Sequence, residues 1–375
     1  MHNNLLKYSV VAVLCVLSAL SASAQGLIRF QNITVNDGLS MSTITDFEQD
    51  HNGYIWIATA EGLHRYDGKH FKILKHSESV SNSLSDSYVH DILSYDHNLY
   101  VGTNLGTVDI ISELDYSTRH LDLRKYDSTF DYSISHLLVH QDRIIINTDG
   151  GGLWQYDPEL HKARRVQIKD IGNESIRQLK IDNNSLLLAT AHKIIRTDLN
   201  TTSVLFNDRN ILITDVTRYK NHYLIGTENG LYQTDLNFRK LTKLNVPPRK
   251  RYINKINTIA VQSGVAWIGT SGGLLKLEHG LFSLYRSNVQ RPYSLVNDNI
   301  SDLFVDKDNL LWIGTIAGVS TYAPQLNKFG LLQYFEIGDQ TYSNNVYCTY
   351  EDQKGIIWLG TLASGLVKLN EDNTI

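Results

Sequence analysis

A polar residue recurs at one position of an internal repeat, and this position is the first candidate for chemistry. It lies twelve or thirteen residues before a repeated threonine. Four of its eight occupants are aspartates, and the set is Asp46, Asp91, His136, Gln178, Asp215, Thr258, Asp302 and Cys348. Carboxylates that converge on one axis could bind a cation or act as a general acid and base. Alternatively, each side chain accepts hydrogen bonds from the threonine hydroxyl and loop amides, an interpretation that we favour.

The repeat itself has a period of about forty-three residues. Its threonines are spaced by 44, 45, 42, 37, 43, 45 and 46 residues, and they are Thr59, Thr103, Thr148, Thr190, Thr227, Thr270, Thr315 and Thr361. The best copies contain a tryptophan three residues before the threonine, at Trp56, Trp267, Trp312 and Trp358. A fixed period of this length predicts a repeat architecture.

Each repeat contains four short β patterns separated by turn signals. In the first copy, Asn52-Gly53 supplies a hairpin turn between two strands, and Asp67-Gly68 supplies another before the outer strand. Runs such as Ile144-Ile145-Ile146 replace strict alternation, which indicates strands that are buried on both faces. We therefore predict an all-β protein, a β-propeller of four-stranded antiparallel blades. A β-solenoid is the alternative, but its rungs are usually shorter.

The repeat motif resembles that of a known family. The matching residues are Asp37-Gly38-Leu39-Ser40, Asp50-x-x-Gly53, Trp56-Ile57-x-Thr59-x-x-Gly62-Leu63 and Tyr66-Asp67-Gly68. They resemble the two-component regulator propeller repeat, which builds the periplasmic sensor region of hybrid two-component system histidine kinases. The resemblance covers residues from about 27 to 375. It implies a sensor of oligosaccharides, usually with two seven-bladed propellers, a β-sandwich, a membrane helix, a kinase and DNA-binding output parts.

The chain lacks most of those parts, so we expect a truncated sensor that cannot transmit a signal alone. We predict a seven-bladed propeller over 25–335 and an incomplete eighth repeat over 336–375, the start of a missing second propeller. A ring of eight blades is the alternative. The stretch Ile28 to Thr34 is predicted to be a displaced outer strand that closes the ring. The unfinished repeat around Trp358 should expose an apolar edge. Self-association or a second propeller would bury this edge.

The composition and the N-terminus predict an exported protein. Residues 1–24 have the pattern of a cleaved signal peptide, with an apolar run too short for a membrane span and a small-residue exit, so we expect a periplasmic location. The net charge is -4, from 35 Lys+Arg and 39 Asp+Glu, without a basic stripe, which argues against nucleic acid as a partner. Cys15 lies in the signal sequence, so Cys348 is alone and no disulfide framework is expected.

The loops give a prediction of where a ligand binds. If the strands of a blade run outward from the axis, the second-to-third turns and the connections between blades share one face. Acids, amides and tyrosines in these loops suit a carbohydrate or another small polar ligand. The ligand-binding candidates are Glu61, Asn104, Asp149, Tyr132, His192, Glu228, Asn229 and Asp298.

Two classes of function remain open on the sequence. The first is a non-catalytic binding module of sensor type, for which we predict no catalytic residue, no metal and no cofactor. The second is a periplasmic carbohydrate hydrolase or lyase that uses carboxylates and His136 near the channel mouth. No catalytic motif favours the enzyme, since no Gly-x-Ser-x-Gly and no His-Glu-x-x-His occurs. Propellers serve both classes, so the fold does not decide between them.

Overall fold

The computed structural model describes residues 28–172, 174–246, 255–291 and 293–325, together with 334–337, 340–343, 346–353, 356–362 and 365–369. The chain divides into two compact units, one of which spans Phe30 to Ala323. The predicted signal peptide, residues 1–24, lies outside the described residues.

The unit from Phe30 to Ala323 consists of seven four-stranded antiparallel sheets, which we number as blades 1 to 7. Blade 1 contains β2 (Ile44–Gln49), β3 (Ile55–Thr59), β4 (Gly62–Tyr66) and β5 (Phe71–Leu74). Blade 2 contains β6 (Val89–Tyr95), β7 (Asn98–Thr103), β8 (Thr107–Ser112) and β9 (Thr118–Asp122). Blade 3 contains β10 (Ile134–His140), β11 (Arg143–Thr148), β12 (Gly152–Asp157) and β13 (Lys162–Val166).

The remaining four blades follow in chain order. Blade 4 contains β14 (Gln178–Asp182), β15 (Ser185–Ala189), β16 (Lys193–Thr197) and β17 (Thr202–Asn207). Blade 5 contains β18 (Ile213–Tyr219), β19 (His222–Thr227), β20 (Gly230–Asp235) and β21 (Leu241–Lys243). Blade 6 contains β22 (Ile256–Gln262), β23 (Val265–Thr270), β24 (Gly273–Glu278) and β25 (Leu281–Tyr285). Blade 7 contains β26 (Ile300–Val305), β27 (Leu311–Thr315), β28 (Gly318–Tyr322) and the N-terminal strand β1 (Gln31–Ile33).

Strand β1 closes the ring. It pairs antiparallel with β28, with Asn32 opposite Ser320, and so provides the outer strand of blade 7 from the other end of the chain. The first strands of successive blades contact one another in a closed cycle that includes β26 with β2. The predicted all-β propeller and its displaced outer strand are therefore confirmed, and the ring has seven blades rather than eight.

Burial between blades explains the repeat sequence. The second strand β3 is buried along its whole length, and Ile144, Ile145 and Ile146 of β11 have no exposed surface. The glycine before the threonine is required by close packing: a Cβ at Gly314 would lie 2.9 Å from the Ile44 side chain of the next blade. Helix is limited, in the described residues, to short 3-10 turns at Val35–Asp37, at Leu123–Lys125 and at residues 324–325.

The other unit contains the C-terminal residues 324–375. Its described strands are the hairpin β29 (Tyr334–Ile337) and β30 (Gln340–Ser343), and a three-stranded sheet of β31 (Val346–Glu351), β32 (Ile357–Thr361) and β33 (Gly365–Leu369). In its described residues, this sheet has the repeat's register and three strands. It exposes large apolar side chains such as Tyr347 and Leu366. The predicted domain boundaries, and a partner that would cover this sheet, stay predictions.

Candidate functional site

The strand register defines two faces of the propeller. Thr59 pairs with Gly62 across the turn between β3 and β4, and it also pairs with Ile44 at the start of β2. The second-to-third turns and the connections that enter each first strand therefore lie at one end of the blades, which we call the upper face. The first-to-second and third-to-fourth turns lie at the other end, the lower face.

All eight ligand-binding candidates lie in segments of the upper face, but most have local partners. Glu61 is 3.8 Å from Lys75, Glu228 is 3.4 Å from Lys255, and the Asp298 carboxylate accepts the Ser287 amide at 2.6 Å. Asn104 Oδ1 is 3.3 Å from His90 Nε2, and His192 Nδ1 is 3.0 Å from the Ile211 carbonyl. These contacts stay within a blade or join adjacent ones. Within the described residues, no hydrogen bond or ion pair joins two of the eight side chains.

Two candidates, Tyr132 and Asp149, adjoin Gly150, a residue that lines a cleft. The Tyr132 ring packs on the glycine turn beside Asp149, so closely that a Cβ at Gly151 would lie 2.6 Å from the ring. The amide of Asp149 donates to the Ser133 carbonyl, which ties this turn to the connection that carries Tyr132. Gly150, on the same turn, forms one wall of the cleft. A larger residue at position 151 would therefore push Tyr132 away from the turn.

The cleft is half-open, has a volume of about 880 Å³, and lies between blades 3 and 4. Its apolar floor includes Ile168, Ile171 and Ile176, and its polar lining includes Arg165, Lys169, Glu174 and Ser175. Most of these residues belong to the connection between β13 and β14, which departs from the repeat pattern. Ligand pockets commonly have volumes of roughly 300 to 1,000 Å³ and combine an apolar surface with a few polar groups.

The charged groups of the cleft are partly held in place. Glu174 lies 2.9 Å from Lys193 Nζ and accepts the Thr190 hydroxyl at 2.5 Å. Burial alone would raise the pKa of Glu174, but these two hydrogen bonds and the Lys193 charge lower it, so this carboxylate is ionised. Arg165 is 3.7 Å from Asp127, and Lys169 is exposed at the rim. The cleft therefore presents an anchored carboxylate and two cations to a ligand.

The recurring polar residues lie on the first strand of their blades, opposite the residue before the repeated threonine. Asp46 lies opposite Ala58, Asp91 opposite Gly102, and Asp302 opposite Gly314. The partners, however, differ from the expected threonine hydroxyls. Asp46 accepts the Ile92 amide at 2.7 Å, Asp91 that of Leu137 at 2.7 Å, and Asp215 that of Ile259 at 2.6 Å. These aspartates therefore join each blade to the inner strand of the next one.

The threonine hydroxyl is engaged elsewhere, so the prediction of its partner was wrong. Thr59 Oγ1 donates to the Gly62 carbonyl at 2.8 Å and accepts the Glu61 amide at 3.2 Å. Thr227, Thr270 and Thr315 make the same hydrogen bond to a glycine carbonyl. The hydroxyl closes its own tight turn, and a side chain on the first strand cannot compete with this local geometry.

The inner strands differ electrostatically around the ring. Burial raises the pKa of Asp46 and of Asp91, and the mutual repulsion of the carboxylates adds to the shift for Asp46. Burial also raises the pKa of Asp302, to about 6. Asp215 instead pairs with Lys180, whose Nζ is 2.5 Å from its carboxylate. His136 has its pKa lowered to about 4 by burial, so its imidazole is neutral near pH 7.

A hydrogen bond between the first turn and the tryptophan was missing from the sequence analysis. The Trp56 indole donates to Asp50 at 2.9 Å, Trp312 donates to Asp306 at 2.8 Å, and Trp358 donates to Asp352 at 3.1 Å. The signal was present in the sequence, because each aspartate lies six residues before its tryptophan. The segment Asp306 to Asn309 is accordingly a hairpin turn.

Comparison with known proteins identifies the repeats. A family model described as the two-component regulator propeller matches residues 38–61, 294–317 and 343–363. Three segments of the chain are therefore similar to this repeat. The matched segments lie in blade 1, at blade 7 and around the three-stranded sheet, and none of them contains the cleft. In the part of the chain that the structure describes, we find no helix with the length and apolar character of a membrane span.

A curated relative and two solved structures extend the comparison. Histidine kinase P4 of Formosa agariphila is 43% identical over 56 residues, which is 15% of this chain and 4% of that protein. The extracellular domain of a hybrid two-component system from B. thetaiotaomicron has a TM-score of 0.70 and 19% identity, and the match covers 92% of this chain and 54% of that one. The virginiamycin B lyase of Staphylococcus aureus has a TM-score of 0.62 at 11% identity, covering 79% and 99% of the two chains.

The solved structures support the propeller fold, and the family match supports a relation to two-component regulators. The chain spans about half the length of the solved extracellular domain, at 54%, and 4% of the curated kinase. At such low identity the two structures show the fold alone, and one of them is an enzyme. Catalysis is therefore a question for experiment.

Proposed function

We propose that this chain is the ligand-recognition propeller of a periplasmic sensor, exported by the signal peptide predicted in residues 1–24, and that its ligand is an oligosaccharide. The observation that carries the proposal is the cleft between blades 3 and 4 on the upper face. Its isoleucine floor suits the apolar face of a sugar ring, while Arg165, Lys169, Glu174 and Ser175 offer donors and acceptors to hydroxyl groups. The Tyr132 ring, which packs on the turn that carries Gly150, provides an aromatic surface beside the cleft for stacking.

The cleft is a different location from the channel mouth that the eight candidates imply together. Tyr132 and Asp149 belong to both sites, because they adjoin a residue that lines the cleft and lie in upper-face loops. Glu61 in blade 1 and Glu228 in blade 5 belong only to the channel-mouth site. Comparing the two groups of variants therefore distinguishes the sites.

Isothermal calorimetry with a panel of neutral and uronic-acid-containing oligosaccharides tests the proposal. For a binder, we expect Lys169→Ala and Tyr132→Ala to weaken affinity about tenfold, the effect of losing one charge-assisted hydrogen bond or a stacking surface. Lys240→Ala, in a lower-face turn, removes the same charge without touching the cleft, and should leave affinity unchanged. Glu61→Ala and Glu228→Ala should also have no effect.

Three results would contradict the cleft or the function. Equal losses for Glu61→Ala, Glu228→Ala and Tyr132→Ala, of about 1 to 3 kcal/mol each, would place the ligand over the channel mouth instead. Loss of affinity in the lower-face variants Asn52→Ala or Asp308→Ala would place it on the other face. Cleavage of the bound oligosaccharide, seen by product analysis, would replace the sensor with the hydrolase or lyase.

A further inference from the structure

Two histidines and a glutamate meet on the lower face, away from the cleft. His51 lies in the turn between β2 and β3 of blade 1, His97 in the turn between β6 and β7 of blade 2, and Glu113 just after β8. Each residue offers one nitrogen or oxygen atom that could bind a metal, and these three atoms lie within 4.8 Å of one another. His51 Nδ1 is 3.2 Å from Glu113 Oε2, and the two imidazole ring centres are 4.6 Å apart.

The carboxylate of this cluster is held in a fixed position. The Glu113 side chain is only 1% exposed, and its Oε1 accepts the Ser94 hydroxyl at 2.7 Å. The Glu113 amide donates to the His97 carbonyl at 3.0 Å, which fixes the two blade 2 residues relative to each other. The remaining oxygen, Oε2, points to His51. A buried carboxylate is therefore directed at two imidazoles that can reach it from the solvent side.

We propose that His51, His97 and Glu113 form a binding site for a divalent transition metal ion, with Zn²⁺ as the preferred ion. Two imidazole nitrogens and one carboxylate oxygen are a donor set that Zn²⁺ takes in proteins, with bonds of about 2.0 to 2.2 Å. Tetrahedral binding needs donor atoms about 3.3 Å apart, so small side-chain rotations of the exposed histidines bring the set into range. Three protein ligands leave a fourth position open to water or to an external ligand.

A cation at this site would lower the free energy of the ionised Glu113 carboxylate. The bound metal would connect the first turn of blade 1 to blade 2, so it should stabilise the ring at its N-terminal blades.

The test uses the full chain, purified without a polyhistidine tag and treated with a chelator. Calorimetry with ZnCl₂ should show one saturable site, Co²⁺ should give the absorption of a tetrahedral complex, and Zn²⁺ should raise the melting temperature. Each of Glu113→Gln, His51→Asn and His97→Asn should weaken Zn²⁺ binding at least about tenfold. Asparagine is chosen because His97 has a positive φ of 57°, which asparagine tolerates.

His279→Asn is the matched control, since His279 is an exposed histidine with a φ of 50° in another lower-face turn. This variant should bind Zn²⁺ like the parent chain. The proposal is overturned if the parent chain binds no Zn²⁺ at a single site, or if the cluster variants bind as tightly as the control. Equal affinity for Ca²⁺ and Zn²⁺ would also overturn it, because Ca²⁺ prefers oxygen ligands and the histidines would then have no role. Melting curves of the metal-free variants show whether each one folds.

Discussion

Blades 1 and 7 and blade 4 use the same position of the repeat in different ways. This position lies four residues after the inner polar residue and is occupied by Asp50, Asp306 and Asp182. In blades 1 and 7 the aspartate accepts the tryptophan N–H of its own blade. Blade 4 has Leu187 where the tryptophan would be, and Asp182 instead accepts the Tyr223 hydroxyl of blade 5 at 2.5 Å. The aspartate of a blade with the tryptophan therefore bonds the indole of its own blade, whereas Asp182 also bonds the next blade.

The comparison also relates repeat degeneracy to function. Blades 1 and 7, the strict blades, match the family model, whereas blade 4 joins blade 5 through ion pairs. Arg218 of blade 5 lies 3.5 Å from Asp182, and Lys180 reaches Asp215 in blade 5, while Arg196, 2.7 Å from Asp182, belongs to blade 4 itself. The cleft lies at the boundary between blades 3 and 4. The part of the ring that has lost the repeat motif is thus the part with an irregular connection in which a ligand site can form.

The largest predicted effect is in a strict blade. Trp312→Ala should lower the free energy of unfolding by about 3 to 5 kcal/mol, because the indole is buried and its removal leaves a large cavity. Urea unfolding, followed by circular dichroism, measures the change. An unchanged midpoint would mean that the tryptophan does not hold the blade together, and the contrast between strict and degenerate blades would lose its basis.

The corresponding loss in the degenerate region should be smaller. Asp182→Ala is expected to cost about 2 kcal/mol, because it leaves the buried Tyr223 hydroxyl without an acceptor, while Arg196 is partly exposed and can turn to water. A double-mutant cycle with Tyr223→Phe tests the bond between blades. A coupling energy near zero would mean that Asp182 acts only within blade 4.

Much of the fold could be predicted from the sequence because it depends on local, repeated signals. The spacing of threonines such as Thr59 and Thr315 is the spacing of turns, and the register that places Asp46 opposite Ala58 follows from counting along a hairpin. The partner of Asp46 could not be predicted in this way. The Ile92 amide is 46 residues away, and only the packing of one blade on the next brings it to the carboxylate.

The candidate site was less accessible to sequence reasoning for the same reason. Loop topology places Tyr132 and Asp149 on the upper face, but the cleft depends on side chains of the connection between β13 and β14, whose sequence is not repeated in the other connections. Lys169 and Glu174 therefore occupy no position that recurs in the repeats, and the sequence pattern could not mark them as site residues. Similarly, His51 and Glu113 are 62 residues apart, and only the packing of blade 1 on blade 2 brings them together.

A third prediction isolates the hydrogen bond of the strict blades from the packing of the ring. Asp306→Asn should cost about 1 to 2 kcal/mol, because it replaces a carboxylate that accepts the Trp312 N–H and two turn amides. In the Trp312→Phe background the indole N–H is absent, so the same change should cost less. Equal costs in both backgrounds, measured by urea unfolding, would assign the effect to the turn alone.

The smallest predicted effect concerns the inner strands, where Asp302 of a strict blade differs from Asp215 of blade 5. Burial raises the pKa of Asp302 to about 6, so the folded chain keeps a proton that the unfolded chain releases near pH 4. The contribution of Asp302 to the free energy of unfolding is therefore fully present at low pH, and it declines as the pH rises through about 6. Between pH 5 and 7.5 the loss should be about 1 kcal/mol.

Asp302→Asn removes this titration, so the variant should lose less stability than the parent chain over that pH range. Asp215→Asn is the contrasting change: it takes the carboxylate from Lys180, which is 2.5 Å away, and should lower stability at both pH values. Urea midpoints of the three proteins at pH 5 and 7.5 measure these effects. Parallel pH dependence of the parent chain and Asp302→Asn would show that the buried aspartate is already ionised in the folded state. The carboxylates of Asp46, Asp91 and Asp302 would then need a bound cation to balance their negative charge. On the opposite side of the ring, Lys180 already balances the charge of Asp215.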